Sequence, residues 1–220
     1  MGEVQGQGYI GQALGVADVL AASYFHALEY RPEDPEWEGR DRFYLSIGHY
    51  AIALYSVLME AGILPEDELE TYGMDDSRMP MSGMASYTPG MEITGGSLGH
   101  GLGIAVGAAL GLKRKESPAF VYNLMSDGEL GEGSTWEAAM SAVQWKLDNL
   151  ICLVDFNDQQ ADGKSTAALA LHIAQLLLKA SHVPIELLLE ITPTGKKTLE
   201  IPQPPQIGKA VFQFFKIEAT

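Results

Sequence analysis

Two polar residues, Asp127 and Asn157, each follow an apolar run typical of a buried strand. The runs are AFVYNLM (119–125) and NLICLVDF (149–156). Parallel strands joined by a right-handed crossover end at the same edge of a sheet, so the two side chains can meet one ligand there. A carboxylate and an amide oxygen suit Mg²⁺ or Ca²⁺. Alternatively, Asp and Asn simply favour turns after strands, and the residues alone leave both interpretations open.

Helix-like and strand-like segments alternate around these two positions. Apolar residues at helical spacing occur in 11–30, 48–61, 98–112 and 134–146, and residues 42–47 have a strand-like pattern. Ser134 and Glu137 match a capping box at the start of the last of these helices. Residues 73–97, rich in Gly, Met, Ser and Pro, predict a long ordered loop with a functional role. The alternation predicts an α/β fold with a parallel sheet and helices on both faces.

The composition argues against several classes of partner and compartment. The 220 residues carry a formal charge of −15, which disfavours nucleic acid and anionic membrane surfaces. A phosphate ligand would therefore need a metal ion or backbone N–H groups. The apolar run 98–112 is shorter than the roughly 20 residues of a membrane span. Cys152 is the single cysteine, and no basic-then-apolar leader is evident, so we expect a cytoplasmic protein without disulfides.

The interval between these polar residues, together with its flanking segments, resembles transketolase. Asp127-Gly128, 28 further residues and Asn157 match the thiamine diphosphate motif of that family. The segments GQGYIGQALGVADVLA, RFYLSIGHYAIALYSVL and MSGMASYTPGMEITGGSLGHG are similar to the amino-terminal subunit of the two-chain bacterial form. The resemblance covers about residues 5–166. It implies a thiamine diphosphate-binding fold, specifically the domain that binds the diphosphate.

The resemblance also implies a cofactor site. Asp127, the side chain of Asn157 and the backbone carbonyl of Gln159 would hold a divalent ion, either Mg²⁺ or its substitutes Ca²⁺ and Mn²⁺. That ion would bind the diphosphate with help from Gly128. The backbone segment Gly96, Ser97 and Leu98 would lie along the cofactor, where glycine allows close approach.

Two further residues receive roles from the resemblance. His49 matches a catalytic histidine beside the cofactor, and its alternative is a helix-start histidine bonded to a carbonyl. Glu132 matches a buried glutamate that links two cofactor sites across a dimer interface. Read alone, Glu132 is only an acid near the amino terminus of a helix.

The chain departs from the family pattern at several positions. Ser126 replaces the usual glycine of the motif, and Tyr9 replaces a substrate-side histidine. A second substrate-side histidine has no counterpart near Met84, although His100 lies nearby in the sequence. After Lys164 the pattern ends. We therefore predict a truncated domain in residues 1–165 and an atypical tail in 166–220, which arises from a frameshift or is an appendage for interaction.

The resemblance implies the function of a transketolase-type transferase subunit. It would transfer two-carbon ketol units between sugar phosphates, and only with a second subunit that carries the pyrimidine-binding domain. The expected assembly is a heterotetramer or another dimer of heterodimers. The alternatives are another thiamine diphosphate enzyme, such as a deoxyxylulose-phosphate synthase, and an inactive degenerate chain.

Overall fold

A parallel sheet, in the order β1-β2-β3-β5-β4, forms the centre of the protein. The computed structural model describes residues 1–157 and two later strands, at 189–191 and 211–217. The strands are β1 (Arg42–Leu45), β2 (Val121–Ser126), β3 (Leu150–Asp155), β4 (Leu189–Ile191) and β5 (Val211–Ile217). Each neighbouring pair is parallel. The predicted α/β fold is confirmed.

Helices cover both faces of this sheet. They are α1 (Gly2–Gln5), α2 (Ile10–Gly15), α3 (Ala17–Ala22), α4 (Ala51–Glu60), α5 (Gly101–Arg114) and α6 (Gly133–Gln144). A π-helical turn spans Ser23–Ala27, and 3₁₀ helices span Gly48–Tyr50, Glu66–Thr71 and Asp127–Gly131. One core cluster packs α3 and α4 against one face of the sheet, and another packs α5 and α6 against the opposite face. Burial on both faces explains why the apolar runs of β2 and β3 are continuous.

Two local predictions were wrong. The helix expected over residues 11–30 is divided into α2, α3 and the π-helical turn, with the buried Val16 between the first two. The capping box expected at Ser134 is also absent, since the residue before α6 is Glu132 and the Ser134 hydroxyl donates to the Gly99 carbonyl instead. By contrast, the described chain has no helix or strand between Thr71 and Gly101, which confirms the long loop.

Two strands from residues 166–220, β5 and β4, continue the sheet beyond β3. β5 pairs in parallel with β3 from Ile151↔Val211 to Asp155↔Phe215, and β4 pairs with β5. In this order β3 has a neighbour on each side, β2 and β5. The division of the chain into domain and tail stays a prediction. In the part of the chain that is described, no helix combines the length and the apolar character needed to cross a membrane.

The Cys152 thiol lies in the middle of β3, fully buried beside the sulfur of Met125. Burial raises the pKa of this thiol to about 12. We expect a chromogenic disulfide reagent at about pH 8 to leave the folded protein unmodified and to modify Cys152 after unfolding in urea, because reaction requires an accessible thiolate. Equal rates with and without urea would contradict this burial.

Candidate functional site

The carboxyl ends of β2 and β3 lie side by side. Ser126, the last residue of β2, pairs with Asp155, the last residue of β3. Asp127 follows directly on one strand, and Asn157 lies two residues beyond the other. Asp127 is only 2% exposed although it lies at the edge of the sheet. The register therefore brings the two polar residues to neighbouring strand ends, as their sequence positions suggested.

The Tyr50 hydroxyl connects the polar groups at this edge. It donates a hydrogen bond to Asp155 Oδ2 at 3.0 Å, and the Asn157 Nδ2 group donates to the same oxygen at 3.1 Å. The pKa of Tyr50 is raised above its usual value, first by burial, then by Asp155 and, more weakly, by Asp127. Since Asp127 acts on this hydroxyl, it belongs to the same polar cluster as Asn157.

Asp155 determines the orientation of the Asn157 amide. A carboxylate accepts hydrogen bonds, so Asn157 must present its NH₂ group to Asp155. The same group lies 3.3 Å from the Tyr50 hydroxyl. The amide oxygen of Asn157 therefore points away from Asp155. An amide that binds a hard cation does so through its oxygen.

The chemistry of the cluster fits a hard divalent cation. Burial raises the pKa of Asp155, whose Oδ1 atom is buried and has no hydrogen-bond partner among the described residues. A buried carboxyl group in this environment is stabilised by a nearby cation. No group of three His, Cys, Asp or Glu side chains suited to a metal occurs in the described ranges. The predicted ligand set instead combines a carboxylate, an amide and the carbonyl of Gln159, and Gln159 lies outside those ranges.

A glycine loop, residues 95–99, lies against the end of β1 at the same edge of the sheet. The Gly96 N–H donates to the Ser46 carbonyl at 3.0 Å, and Gly96 has a φ of +106°. A Cβ on Gly48 would lie only 2.3 Å from the carbonyl carbon of Gly95, so the two backbones pack in direct contact. Gly96 and Ser97 are exposed and Leu98 is half-buried, which leaves this backbone accessible to a ligand.

His49 lies in the 3₁₀ helix Gly48–Tyr50, directly after β1. Its ring is half-buried between Tyr9, at 5.0 Å between ring centroids, and Tyr50, at 4.7 Å. Burial lowers the pKa of His49, which favours the neutral ring at pH 7. The ring makes no hydrogen bond to another described residue, so the predicted alternative, a histidine bonded to a carbonyl, is not observed there.

Sequence reasoning missed Glu129, which lies at the centre of this edge. Its carboxylate is 1% exposed and accepts hydrogen bonds from the Ser46 hydroxyl, the Gly99 N–H and the Ser126 N–H. Burial raises the pKa of Glu129, and the hydrogen bonds oppose that shift. The spacing of Ser126 and Glu129 is that of a capping box, which the structure contains. This spacing in the sequence could have identified Glu129 as the acid that binds the Ser126 N–H.

Three other candidate residues, Tyr9, His100 and Glu132, are exposed. Glu132 is exposed in this chain rather than buried, and its interface role stays a prediction. Ser126 has a φ of −97°, so the motif needs no glycine at that position. Tyr9 is 47% exposed and packs on His49. His100 is exposed, with Nδ1 3.2 Å from the Ser97 hydroxyl.

Replacing Tyr50 by Phe tests the polar cluster. The change removes the donor to Asp155, and we expect it to lower the free energy of unfolding by about 1–3 kcal/mol, because a buried carboxyl group loses a partner. Urea denaturation of the cofactor-free protein measures this. Tyr24→Phe is the matched control, since the Tyr24 side chain is largely buried and its hydroxyl makes no hydrogen bond to another described residue. Equal losses in the two variants would contradict the assigned contact.

The lowered pKa of His49 predicts a pH dependence. In a nuclear magnetic resonance titration we expect the His49 ring to protonate below the ordinary histidine value of about 6.5. The unfolded chain then binds the proton more tightly than the folded chain. The stability contributed by the neutral ring is therefore complete above the unfolded pKa and is lost as the pH falls. A midpoint above the ordinary value would contradict the burial of the ring.

Comparison with known proteins gives a consistent result. The family model described as transketolase, thiamine diphosphate binding domain, matches residues 3–176. An uncharacterized transketolase family protein of Sinorhizobium fredii is 79% identical over 169 residues, which are 77% of this chain and 61% of that protein. One subunit of an apulose-4-phosphate transketolase from Actinobacillus succinogenes is 46% identical over 156 residues, covering 71% of this chain and 56% of the relative.

Solved structures give the same assignment. Transketolase from Leishmania mexicana superposes with a TM-score of 0.80 at 27% identity, covering 95% of this chain and 33% of that one. Transketolase from Campylobacter jejuni gives a TM-score of 0.77 at 29% identity, covering 92% and 33%. The matched region thus spans about three fifths of the first relatives and a third of the solved enzymes. The chain belongs to the transketolase family and contains its thiamine diphosphate binding domain.

Proposed function

We propose that this chain is the diphosphate-binding subunit of a two-chain transketolase that transfers two-carbon ketol units between sugar phosphates. The observation that supports it best is the pair Asp127 and Asn157, at adjacent strand ends beside an exposed glycine loop. This arrangement occurs in a chain of the transketolase family. Two similar proteins are named as subunits of transketolases that act on sugar derivatives, apulose-4-phosphate and 6-deoxy-6-sulfo-D-fructose.

The proposed ion is Mg²⁺, held by Asp127, the amide oxygen of Asn157 and the Gln159 carbonyl. A cation is needed because the chain carries a formal charge of −15 and the diphosphate is itself an anion. Ca²⁺ and Mn²⁺ have ligand preferences close enough to replace it. Gly128, next to Asp127, would let the backbone approach the diphosphate closely.

The other residues would hold the cofactor in place. When bound, thiamine diphosphate supplies a nucleophilic carbon that carries the two-carbon unit. The backbone of Gly96, Ser97 and Leu98 would line one side of it. The lowered pKa of His49 favours the neutral ring, which would donate or accept a proton beside the cofactor.

A second subunit completes the proposed enzyme. Because similar proteins are themselves named as single subunits of transketolases, we propose a partner that carries the pyrimidine-binding domain, in a heterotetramer or another dimer of heterodimers. Glu132, exposed at the start of α6, would lie at the contact between copies. The cytoplasmic location stays a prediction.

Cofactor binding by Asp127→Ala provides the direct test. We expect the unmodified chain, with its partner subunit, to bind thiamine diphosphate only when Mg²⁺ is present, and Asp127→Ala to weaken binding at least about tenfold, because a charged ligand of the cation is lost. Isothermal titration calorimetry measures the affinity. Asp75→Ala is the matched control, since Asp75 is exposed and lies in the loop after the 3₁₀ helix Glu66–Thr71. Full binding by Asp127→Ala would exclude the metal role.

The alternatives give different outcomes in activity assays. A transketolase forms ketose products from a sugar phosphate donor and an aldose phosphate acceptor. A deoxyxylulose-phosphate synthase would instead require pyruvate and release carbon dioxide. A degenerate chain would bind neither thiamine diphosphate nor the partner subunit, even when Mg²⁺ is saturating.

A further inference from the structure

Glu129 is a buried carboxylate held only by neutral groups. It is 1% exposed, and in the described part of the chain it forms no ion pair with Lys, Arg or His. Its Oε1 atom accepts from the Ser46 hydroxyl and from the Gly99 N–H at 2.9 Å, and Oε2 accepts from the Ser126 N–H at 3.1 Å. A desolvated carboxylate is costly without such donors, so their arrangement is unusual enough to suggest a role.

The three donors belong to three separate segments. Ser46 follows β1, Ser126 ends β2, and Gly99 ends the glycine loop. Two of these contacts join positions far apart in the chain, 83 residues for Ser46 and 30 residues for Gly99. One carboxylate therefore holds the ends of two strands and the loop in a single arrangement.

The glycine loop is hydrogen-bonded at both ends, to Glu129 itself or to a residue that binds Glu129. At its start, the Gly96 N–H donates to the carbonyl of Ser46, whose hydroxyl binds Glu129. At its end, the Gly99 N–H binds Glu129 and the Gly99 carbonyl accepts from the Ser134 hydroxyl at 2.8 Å. Gly99 has a φ of +81°, and a Cβ there would meet the Glu132 Cβ at 2.6 Å. Ser97 and Leu98 therefore lie between two hydrogen-bonded positions of the backbone.

Only a carboxylate satisfies this set of donors. All three neighbours donate, and a carboxylate offers acceptors on both oxygens and no hydrogen of its own. A glutamine would direct its NH₂ group at a backbone N–H and leave at least one buried donor without a partner. An aspartate is one methylene shorter and cannot reach all three segments from the same backbone position.

We propose that Glu129 is a positioning residue for the cofactor: it places the Gly96–Leu98 backbone at a set distance from Asp127 without touching the ligand. The inference rests on the proposed function for its ligand, thiamine diphosphate, and on the three hydrogen bonds for its geometry. Glu129 thereby controls how tightly the site binds cofactor.

The first measurement needs no cofactor. Hydrogen exchange of the Gly99 or the Ser126 amide in the full chain should be accelerated at least about tenfold in Glu129→Gln, because one of these two N–H groups loses its acceptor. Ser46→Ala removes one donor and leaves the carboxylate in place, so we expect a smaller acceleration. If Glu129→Gln does not fold, the exchange rates in Ser46→Ala still test whether the hydrogen bonds to Glu129 hold the loop. Wild-type exchange at both Gly99 and Ser126 in the variant that folds would overturn the proposal.

The second measurement separates positioning from loss of stability. Glu92→Gln is the control, since Glu92 is also largely buried and hydrogen-bonded, to Arg40, but belongs to a different polar contact. In the complex with Mg²⁺ and the partner subunit, Glu129→Gln should weaken thiamine diphosphate binding at least about tenfold and Glu92→Gln should not. Turnover at saturating cofactor should recover in Glu129→Gln, so that the effect lies in the KM for cofactor rather than in kcat.

The two proposals fail in different ways. If the unmodified complex binds no thiamine diphosphate, the proposed function is wrong, and the affinity role of Glu129 is wrong with it. If the unmodified complex binds the cofactor and both glutamine variants weaken binding equally, the proposed function stands and Glu129 is only a structural residue.

Discussion

The parallel pairing of β2 with β3 is the interaction on which the site depends. Its register places Ser126 opposite Asp155 and thereby sets the positions of Asp127 and Asn157, which follow the two strands. A shift of one residue would turn the side chains of a strand to the opposite face and separate Asp127 from Asn157. Such a shift would also exchange side chains between the two core clusters, each of which is packed against its own set of helices. The hydrophobic core therefore protects the geometry of a polar site.

Three buried acids lie at this edge, and the structure gives each a different environment. Glu129 is surrounded by neutral donors, which makes it suited to holding backbone segments together. Asp155 receives hydrogen bonds from Tyr50 and Asn157 and orients the amide. Asp127 lies at the strand end, within electrostatic reach of the same tyrosine. Burying so many ionisable groups is costly, and their concentration at one edge of an acidic protein supports the proposed divalent cation there.

The sequence alone was sufficient for the fold class and for the positions of the two strand ends. Continuous apolar runs and a helical spacing between them are local properties, and parallel topology then decides where the strands must end. The long loop over residues 73–97 was also evident, because its composition cannot form a regular element. The resemblance to transketolase gave these residues expected roles, and the family assignment is confirmed.

Only the tertiary structure decided which polar groups meet. The Glu129 carboxylate was visible as one acid among 29, and its role depends on Ser46 and Gly99, which lie far from it in sequence. The same applies to Ser134, which matched a helix cap in the sequence but donates instead to the Gly99 carbonyl. A side-chain hydrogen bond forms with whatever group the fold brings within about 3 Å. Local pattern therefore determined most of the strands and helices in residues 42–157, and long-range packing determined the partners of the buried acids.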